Sequence, residues 1–281
     1  MPEVLTFIDM VNAQLDSGQV PMPVFNACAH QVQQEISKQD PDIRHLAKLI
    51  MQDQALTGHV LRIANSAFYR GLSEVSTVDN AIKRLGTKEI ANIVLLATQK
   101  TNFASRDPLF KELLDTLWRH SVGCALGSLW LAKRLNLKEL AQEAFFAGLL
   151  HDMGKLLILT VIDHLCETGE IDKPPTTEFI NQVMHDLHPS KGHQLLTAWN
   201  LPQLYREVVV QHHEEQFDAK NHVLVMVRLA NKACNKMEIG LDADPSLMLM
   251  ATEEDAILGL SDVDLAELQI KIEDSLAVSG A

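Results

Sequence analysis

The segment Phe145-Phe146-Ala147-Gly148-Leu149-Leu150-His151-Asp152-Met153-Gly154-Lys155-Leu156-Leu157-Ile158-Leu159 dominates the sequence. Its apolar character is interrupted once, by the imidazole of His151, the carboxylate of Asp152 and the ammonium group of Lys155. Such groups are costly to bury unless they are paired or bind a metal. The adjacent His151 and Asp152 offer one nitrogen and one oxygen ligand, which suits a divalent transition metal. An isolated His-Asp pair is more often a hydrogen-bonded helix end, so the other residues have to decide between these interpretations.

The composition favours helices. Hydrophobic residues make up 47% of the 281 residues and aromatic residues only 5%, a balance rich in leucine and alanine. Side chains that cap helices, such as Asp53 and Thr77, precede apolar residues at helical spacing. No alternating pattern of convincing length indicates a strand. We therefore predict an all-α fold.

The sequence gives no sign of secretion or of membrane insertion. The N-terminus lacks the pattern of a cleavable signal, and the longest apolar run, about residues 144–162, is broken by the His-Asp-x-Gly-Lys motif. The four cysteines are scattered without a Cys-x-x-Cys pair, as expected for buried thiols in a reducing compartment. We expect a cytoplasmic protein that does not associate with a membrane.

The formal charge of −13 is concentrated at the C-terminal end. After Gly240 ten acidic residues stand against Lys271 alone, so we expect a solvated, peripheral tail. Ser261 and Asp264 have the spacing of a capping box that begins a short helix there. A chain without a broad basic face is not expected to bind nucleic acid.

Further ligand-type residues fall on apolar helix faces or at helix starts. His120 shares a face with Leu113 and Leu117 in a helix predicted over residues 109–135. His188 precedes Pro189, which predicts the start of a new helix there. The remaining candidates lie in two later helical segments: His212, His213 and Asn231. Inward imidazoles and a carboxylate from separate helices are how a helical bundle builds an interior metal site.

An ordered series of motifs carries a resemblance to a known family. The motifs are Asp53-Gln54-Ala55-Leu56-Thr57, Leu61-Arg62-Ile63-Ala64-Asn65-Ser66-Ala67-Phe68, Ala81-Ile82-x-x-Leu85-Gly86, Trp118-Arg119-His120-Ser121, His151-Asp152-x-Gly-Lys155, His188-x-x-x-Gly192, Trp199-Asn200-Leu201-Pro202 and His212-His213-Glu214. Over about residues 20–236 the chain resembles the HDOD family, the HD-related output domains of bacterial signalling proteins.

The resemblance implies a set of metal ligands. In the wider HD phosphohydrolase superfamily, a first His, the His-Asp pair and a late Asp hold one metal; His120, His151 and Asp152 match, and Asn231 stands where the late Asp is expected. In the HD-GYP branch three further histidines hold a second metal, and His188, His212 and His213 match these, with Asp152 as the bridge. The implied cofactors are one or two divalent transition metals, namely iron, manganese, nickel or zinc.

Two departures bear on activity. The amide of Asn231 contributes no charge, and no Gly-Tyr-Pro follows His213-Glu214. We therefore favour a signalling module with a degenerate metal site, which binds a signalling protein or a small phosphorylated ligand. The second hypothesis is a metal-dependent phosphohydrolase, with Asp152 and Lys155 catalytic and Lys155 steadying the leaving phosphate. A metal-free scaffold with hydrogen-bonded histidines is the third.

The recurring capped helices and a polar joint at residues 102–108 predict a division of the chain. We expect two helical lobes that meet at the polar joint of residues 102–108, the second being an HD-like helical bundle. The segments are an N-terminal helical lobe over 1–105, an HD-like lobe with the metal site over 106–236, and an acidic helical tail over 237–281. The first lobe is expected to bind a partner or ligand and to contribute no metal ligand.

Overall fold

The computed structural model describes residues 7–17, 23–24, 26–36, 38, 40–69, 71 and 73–280. Within these ranges the regular elements are all helical, which confirms the predicted all-α fold. The helices of the first part are α1 (Phe7–Ser17), α2 (Ala27–Ile36), α3 (Ile43–Met51), α4 (Gln54–Ala64), α5 (Val78–Leu85) and α6 (Thr87–Gln99). Those of the second part are α7 (Pro108–Arg134), α8 (Ala141–Leu150), α9 (Met153–Glu167), α10 (Thr177–Ala198), α11 (Gln203–Gln211), α12 (His222–Lys236), α13 (Glu253–Leu258) and α14 (Asp262–Ser279).

Side-chain caps set several helix boundaries. Asp53 accepts a hydrogen bond from the Leu56 N–H at the start of α4, and Thr77 accepts one from the Asn80 N–H at the start of α5. These contacts satisfy backbone donors that have no partner inside the helix. The short polar residues at these positions therefore explain why the first part is a series of short helices.

The long helix α7 is the centre of the second part. It packs against α8, α12 and α14, and its inward face is apolar almost throughout, with Phe110 and Leu117 buried. The larger of two apolar clusters among the described residues extends from Val11 to Val278, and a smaller one joins Ala147, Val208 and Val223 of three helices in the second part. Helix α1 contacts α9 of the second part, and its Phe7 ring meets Phe179 edge-on at 5.2 Å between centroids.

Helix α10 continues through Pro189, so the predicted helix start at His188 is wrong. Proline removes one backbone donor and crowds the preceding turn, which costs about 3 kcal/mol in a helix interior. Because α10 packs along α9, burial of its face offsets this cost and the helix is not interrupted.

The expectation of a solvated, peripheral C-terminal tail is wrong. Helix α14 packs on α7, and its residues Leu268, Ile272 and Ser275 are fully buried. The capping box of Ser261 and Asp264 is present, but it begins a helix of 18 residues rather than a short one. The charge of this segment did not indicate its packing, because the exposed acids of α14 (Asp262, Glu267 and Glu273) lie on its outer face while its inner face is apolar, and Glu254 of α13 is itself buried.

The apolar stretch Ala141–Glu167 is long enough to cross a membrane, and it is the one such stretch within the described ranges. Its most apolar window is 94% buried inside the protein. Helices α8 and α9, which form this stretch, are thus the core elements that position the His-Asp motif.

Candidate metal centre

Five helices deliver the predicted histidine and aspartate ligands to one point in the core. His120 lies in the middle of α7, and His188 lies inside α10. His151 directly follows α8 and Asp152 directly precedes α9, so the adjacent pair occupies the turn between these two helices. His212 directly follows α11, and His213 is the next residue.

One oxygen of Asp152 faces the first pair of histidines. Asp152 Oδ2 lies 3.5 Å from His120 Nε2 and 3.5 Å from His151 Nε2, and these two nitrogens are 3.3 Å apart. The three side chains, all buried, form a group whose ligand atoms are close enough to share one ion.

The other oxygen of Asp152 faces the second pair. Asp152 Oδ1 lies 3.4 Å from His212 Nε2 and 3.6 Å from His188 Nε2, and these nitrogens are also 3.3 Å apart. His213, which is exposed, completes this group, and its ring centroid lies 4.1 Å from that of His212. Asp152 therefore stands between two sets of imidazoles.

The second nitrogen of each buried ring is held by the backbone. Each Nδ1 donates to a carbonyl oxygen at 2.8 Å; the pairs are His120 with Ile239, His151 with Gly148, His188 with Met184 and His212 with Val209. Since a carbonyl oxygen only accepts, the ring hydrogen is on Nδ1 and the lone pair of Nε2 points into the centre.

The facing nitrogens cannot hydrogen-bond to one another in this state. Burial lowers the pKa of His151 to about 3 and also lowers the pKa of His120, His188 and His212, so these rings are neutral near pH 7. Asp152 Oδ1 is buried and has no hydrogen-bond donor among the described residues. The Nε2 lone pairs and the unpaired Oδ1 of Asp152 converge on one region, which fits a bound cation, and imidazole-rich ligation fits a first-row transition metal.

Lys155 and Asp242 complete the charge pattern. Lys155 Nζ lies 2.9 Å from Asp152 Oδ2 and 2.6 Å from Asp242 Oδ2. Burial lowers the pKa of Lys155, but the two carboxylates outweigh it and hold that pKa above its ordinary value. Burial raises the pKa of Asp152, but Lys155 helps to hold it well below the usual range. Two carboxylates and one ammonium group leave the centre negative, as a cation site requires.

Asp242 was not among the predicted residues of this centre, because its charge was counted with the solvated tail. The segment that contains it crosses the centre, because Ile239 accepts from His120 and Gly240 lies against the same ring. At Gly240 the φ angle is +133°, and a Cβ atom would lie 2.6 Å from His120 Nδ1. The sequence signal for this contact is weak, namely a glycine and an aspartate shortly after the helix that carries Asn231.

Gly154 lets two ligand-bearing helices approach closely. A Cβ atom at this position would lie 1.9 Å from the His188 carbonyl oxygen. Because glycine lacks that atom, α9 and α10 pack backbone against backbone, and His188 reaches Asp152.

A buried clamp holds the turn that carries His212 and His213. Arg228 of α12 donates to the carbonyl oxygens of Gln211 and Glu214, each at 2.8 Å, on either side of the two histidines. Glu254 of α13 in turn accepts from Arg228 Nε at 2.7 Å and is fully buried. The acidic tail thus supports the metal centre from a second direction.

Other predicted residues occupy less decisive places. Asn231 is buried on α12, and its predicted contact with a metal stays a prediction. The thiols of Cys124 and Cys234 are free and buried beside the centre, with Cys124 Sγ 3.5 Å from His120 Nε2. In the first part, His45 lies 3.7 Å from Glu35, outside the ligand groups formed by the described residues.

Comparison with known proteins agrees with this architecture. A crystal structure of an HDOD domain protein of unknown function from Geobacter sulfurreducens has a TM-score of 0.76 and 22% sequence identity, and the match covers 97% of this chain and 96% of that chain. A Shewanella amazonensis SB2B protein, provisionally named a metal-dependent phosphohydrolase, has a TM-score of 0.72 and 21% identity, with 98% of each chain covered. At these identities the likeness shows the fold.

Two further relatives extend beyond this chain. A Marinobacter aquaeolei VT8 protein, provisionally named a signal transduction protein, has a TM-score of 0.67 and 20% identity; the match covers 98% of this chain and 66% of that one. An uncharacterized protein of Treponema pallidum (strain Nichols) is 26% identical over 189 residues, 65% of this chain. The matched part spans only 36% of that relative's length.

The family itself is established by the match of the HDOD domain model to residues 22–215, which is more than half of the sequence. The motifs that carried the resemblance and the metal-ligand groups lie largely inside that range. The chain belongs to the HDOD domain family.

Proposed function

We propose that this protein is a cytoplasmic HDOD signalling module whose core holds one or two divalent transition metals in a structural, weakly catalytic or non-catalytic site. The observation that carries the proposal is the position of Asp152 between two pairs of histidines, each pair with its Nε2 atoms 3.3 Å apart. A metal at each side would explain why buried acceptors face one another.

The proposed ligand sets follow from the two oxygens of Asp152. His120, His151 and Asp152 Oδ2 would hold the first metal, with Asn231 as a weak fourth ligand. His188, His212, His213 and Asp152 Oδ1 would hold the second. Iron, manganese, nickel or zinc suits such imidazole-rich sets better than calcium.

Three features support a regulatory rather than a catalytic role. All proposed ligands except His213 are buried, so a substrate has little access to them. Lys155, the residue expected to steady a leaving phosphate, is buried and already paired with two carboxylates. The neutral amide of Asn231 replaces the acid that would strengthen the first site.

The exposure of His213 supports the alternative, a metal-dependent phosphohydrolase open at that edge. A bound metal would supply a more acidic water molecule and stabilise negative charge on a phosphoryl group. In that case Asp152 would position the metals from both sides, and Lys155, which uses two of its three N–H donors on Asp152 and Asp242, would offer the third to the phosphate.

The division into a first lobe over 1–105, an HD-like lobe over 106–236 and a C-terminal segment over 237–281 is part of the proposal. The first lobe would bind a signalling protein or a small phosphorylated ligand. Neither nucleic acid nor membrane is proposed as a partner.

Phosphatase and phosphodiesterase assays on the metal-loaded protein test this function. With p-nitrophenyl phosphate and bis-p-nitrophenyl phosphate, we expect metal to bind and turnover to stay at the level of the Asp152→Asn variant. Robust turnover by the wild-type protein that disappears in Asp152→Asn would establish the phosphohydrolase instead.

A further inference from the structure

A cavity lies away from the metal centre, between the first helices and the HD-like bundle. It has a volume of about 390 Å³ and is lined by side chains of α2, α6 and α8 and by the segment that contains α11. Asn92 comes from α6, Glu143 and Phe146 from α8, and Tyr205 from α11. Its size falls in the range of pockets for small ligands.

Two buried polar groups at this cavity lack a partner. Asn92 is only 1% exposed, and its Nδ2 has no hydrogen-bond acceptor among the described residues. Glu143 Oε2 is buried and likewise has no donor within the part of the chain that the structure describes. An unsatisfied buried amide or carboxylate is costly, so a ligand that satisfies both would bind with a favourable free energy.

The cavity also has an aromatic wall. The rings of Phe146 and Tyr205 pack together with their centroids 4.7 Å apart and a tilt of 58°. Burial, and then the carboxylate of Glu143, raise the pKa of Tyr205 to about 12. The phenol therefore stays neutral near pH 7. Because Glu143 lines the same cavity as the two rings, one ligand can contact both its carboxylate and the aromatic wall.

We propose that this cavity binds a nucleobase, carried by a nucleoside or a nucleoside monophosphate. A base presents a planar face for the aromatic wall and an edge with an acceptor beside a donor. The acceptor of the base would accept a hydrogen bond from Asn92 Nδ2, and the donor of the base would donate one to Glu143 Oε2. Lys88 at the exposed rim is placed to pair with a single phosphate. The net charge of −13 disfavours more highly charged phosphates.

The location connects the cavity with the metal centre. Helix α8, which carries Glu143 and Phe146, ends directly before His151, and α11, which carries Tyr205, ends directly before His212. A ligand that moved either helix would therefore move a proposed metal ligand. Binding itself is independent of the metal, whereas its use as a signalling input rests on the function proposed above.

Isothermal titration calorimetry with GMP, AMP and CMP tests this inference, with ribose 5-phosphate as the ligand that lacks a base. We expect at least one nucleotide to bind with one site per chain and ribose 5-phosphate to show no binding. Asn92→Leu removes the donor and keeps a similar volume, so the affinity should fall at least tenfold without a lower melting temperature. Glu143→Gln should weaken binding similarly, whereas the exposed-acid control Glu215→Gln should bind as the wild type does.

Absence of binding by all three nucleotides at millimolar concentration would overturn the inference. Binding that Asn92→Leu and Glu143→Gln leave unchanged would also overturn it, since the base would then lie elsewhere. The metal content of each variant is measured in parallel and should equal that of the wild type. Loss of the metal site would thus be distinguished from loss of the nucleotide site.

Discussion

Asp242 Oδ2 lies 2.6 Å from Lys155 Nζ, although 87 positions separate the two residues in the sequence. The contact joins the segment after α12 to the His-Asp-x-Gly-Lys motif in the centre of the core. Because Lys155 also contacts Asp152, the charge of Asp242 acts directly on the proposed metal ligands.

Replacement of Asp242 by Asn should weaken metal binding. The change removes one negative charge and leaves the ammonium group of Lys155 opposed by Asp152 alone, so a cation at Asp152 is repelled more strongly. Loss of a residue that supports a metal ligand commonly costs about 10- to 100-fold in metal affinity, and we expect a value in this range. Competition with a chelating dye measures it. The exposed Asp244 provides the control, and an equal effect of Asp244→Asn would show that only overall charge matters.

The packing of α14 can be tested with two isoleucines of the same helix. Ile272 is fully buried against α7, whereas Ile270 is 54% exposed. Ile272→Ala should lower the free energy of unfolding by about 2–5 kcal/mol because it leaves a cavity. Ile270→Ala should change it by about 0.5 kcal/mol or less. Urea denaturation followed by circular dichroism gives both values, and equal effects would mean that α14 does not pack as described.

Glu254 should make stability depend on pH. Burial raises its pKa, but its hydrogen bonds with Lys232 and Arg228 outweigh this and hold the pKa below the ordinary value. A carboxyl with a lowered folded-state pKa stabilises above its unfolded pKa of about 4.3, and this stabilisation is lost as the pH falls through the folded-state value.

Glu254→Gln should therefore be less stable than the wild type by about 2 kcal/mol at pH 7, and the difference should shrink below about pH 4. Urea denaturation at pH 7 and at pH 3.5 measures the difference in the free energy of unfolding between the variant and the wild type. The exposed neighbour Glu253 gives the matched control, since Glu253→Gln should leave the pH dependence unaltered. A constant difference between pH 7 and pH 3.5 would contradict the role of the ionised Glu254.

Two glycines distinguish close packing from helix propensity. In Gly154→Ala the new methyl group meets the His188 carbonyl oxygen, so we expect a loss of about 3 kcal/mol or more and displacement of His188. At Gly58, in the exposed middle of α4, a new Cβ would meet no atom within 4 Å other than the neighbouring backbone of its own helix. Gly58→Ala should therefore stabilise by about 0.5–1 kcal/mol. Thermal unfolding compares them, and a neutral Gly154→Ala would refute the close approach of α9 and α10.

Local patterns predicted the helices well where packing and propensity agree. The periodic apolar residues predicted a helix over 109–135, and α7 spans Pro108–Arg134. The capping box of Ser261 and Asp264 was predicted from spacing alone. The predicted start of a new helix at His188-Pro189 was wrong. Helix propensity reflects only the local cost of proline, whereas the burial of α10 against α9 depends on residues that are distant in the sequence.

The histidine cluster could be anticipated because the family resemblance identifies residues from separate helices. Asp242 could not, since its partner Lys155 lies far away in the sequence and no local pattern marks the pair. The same limit applies to Glu254 and Arg228, whose buried ion pair joins two helices of the second part. Asp242 and Glu254, which the sequence suggested to be solvent-exposed, thus hold residues of the proposed metal centre in place.

The metal content of protein purified without chelator, compared with that of Asp152→Asn, addresses the bridging position of Asp152. Elemental analysis by mass spectrometry should find one or two equivalents of iron, manganese, nickel or zinc per wild-type chain. The variant should contain almost none and keep its helical circular dichroism spectrum, because the asparagine side chain retains the shape but not the charge. A folded wild-type protein that stays free of metal after incubation with each of these ions would contradict the proposed metal centre.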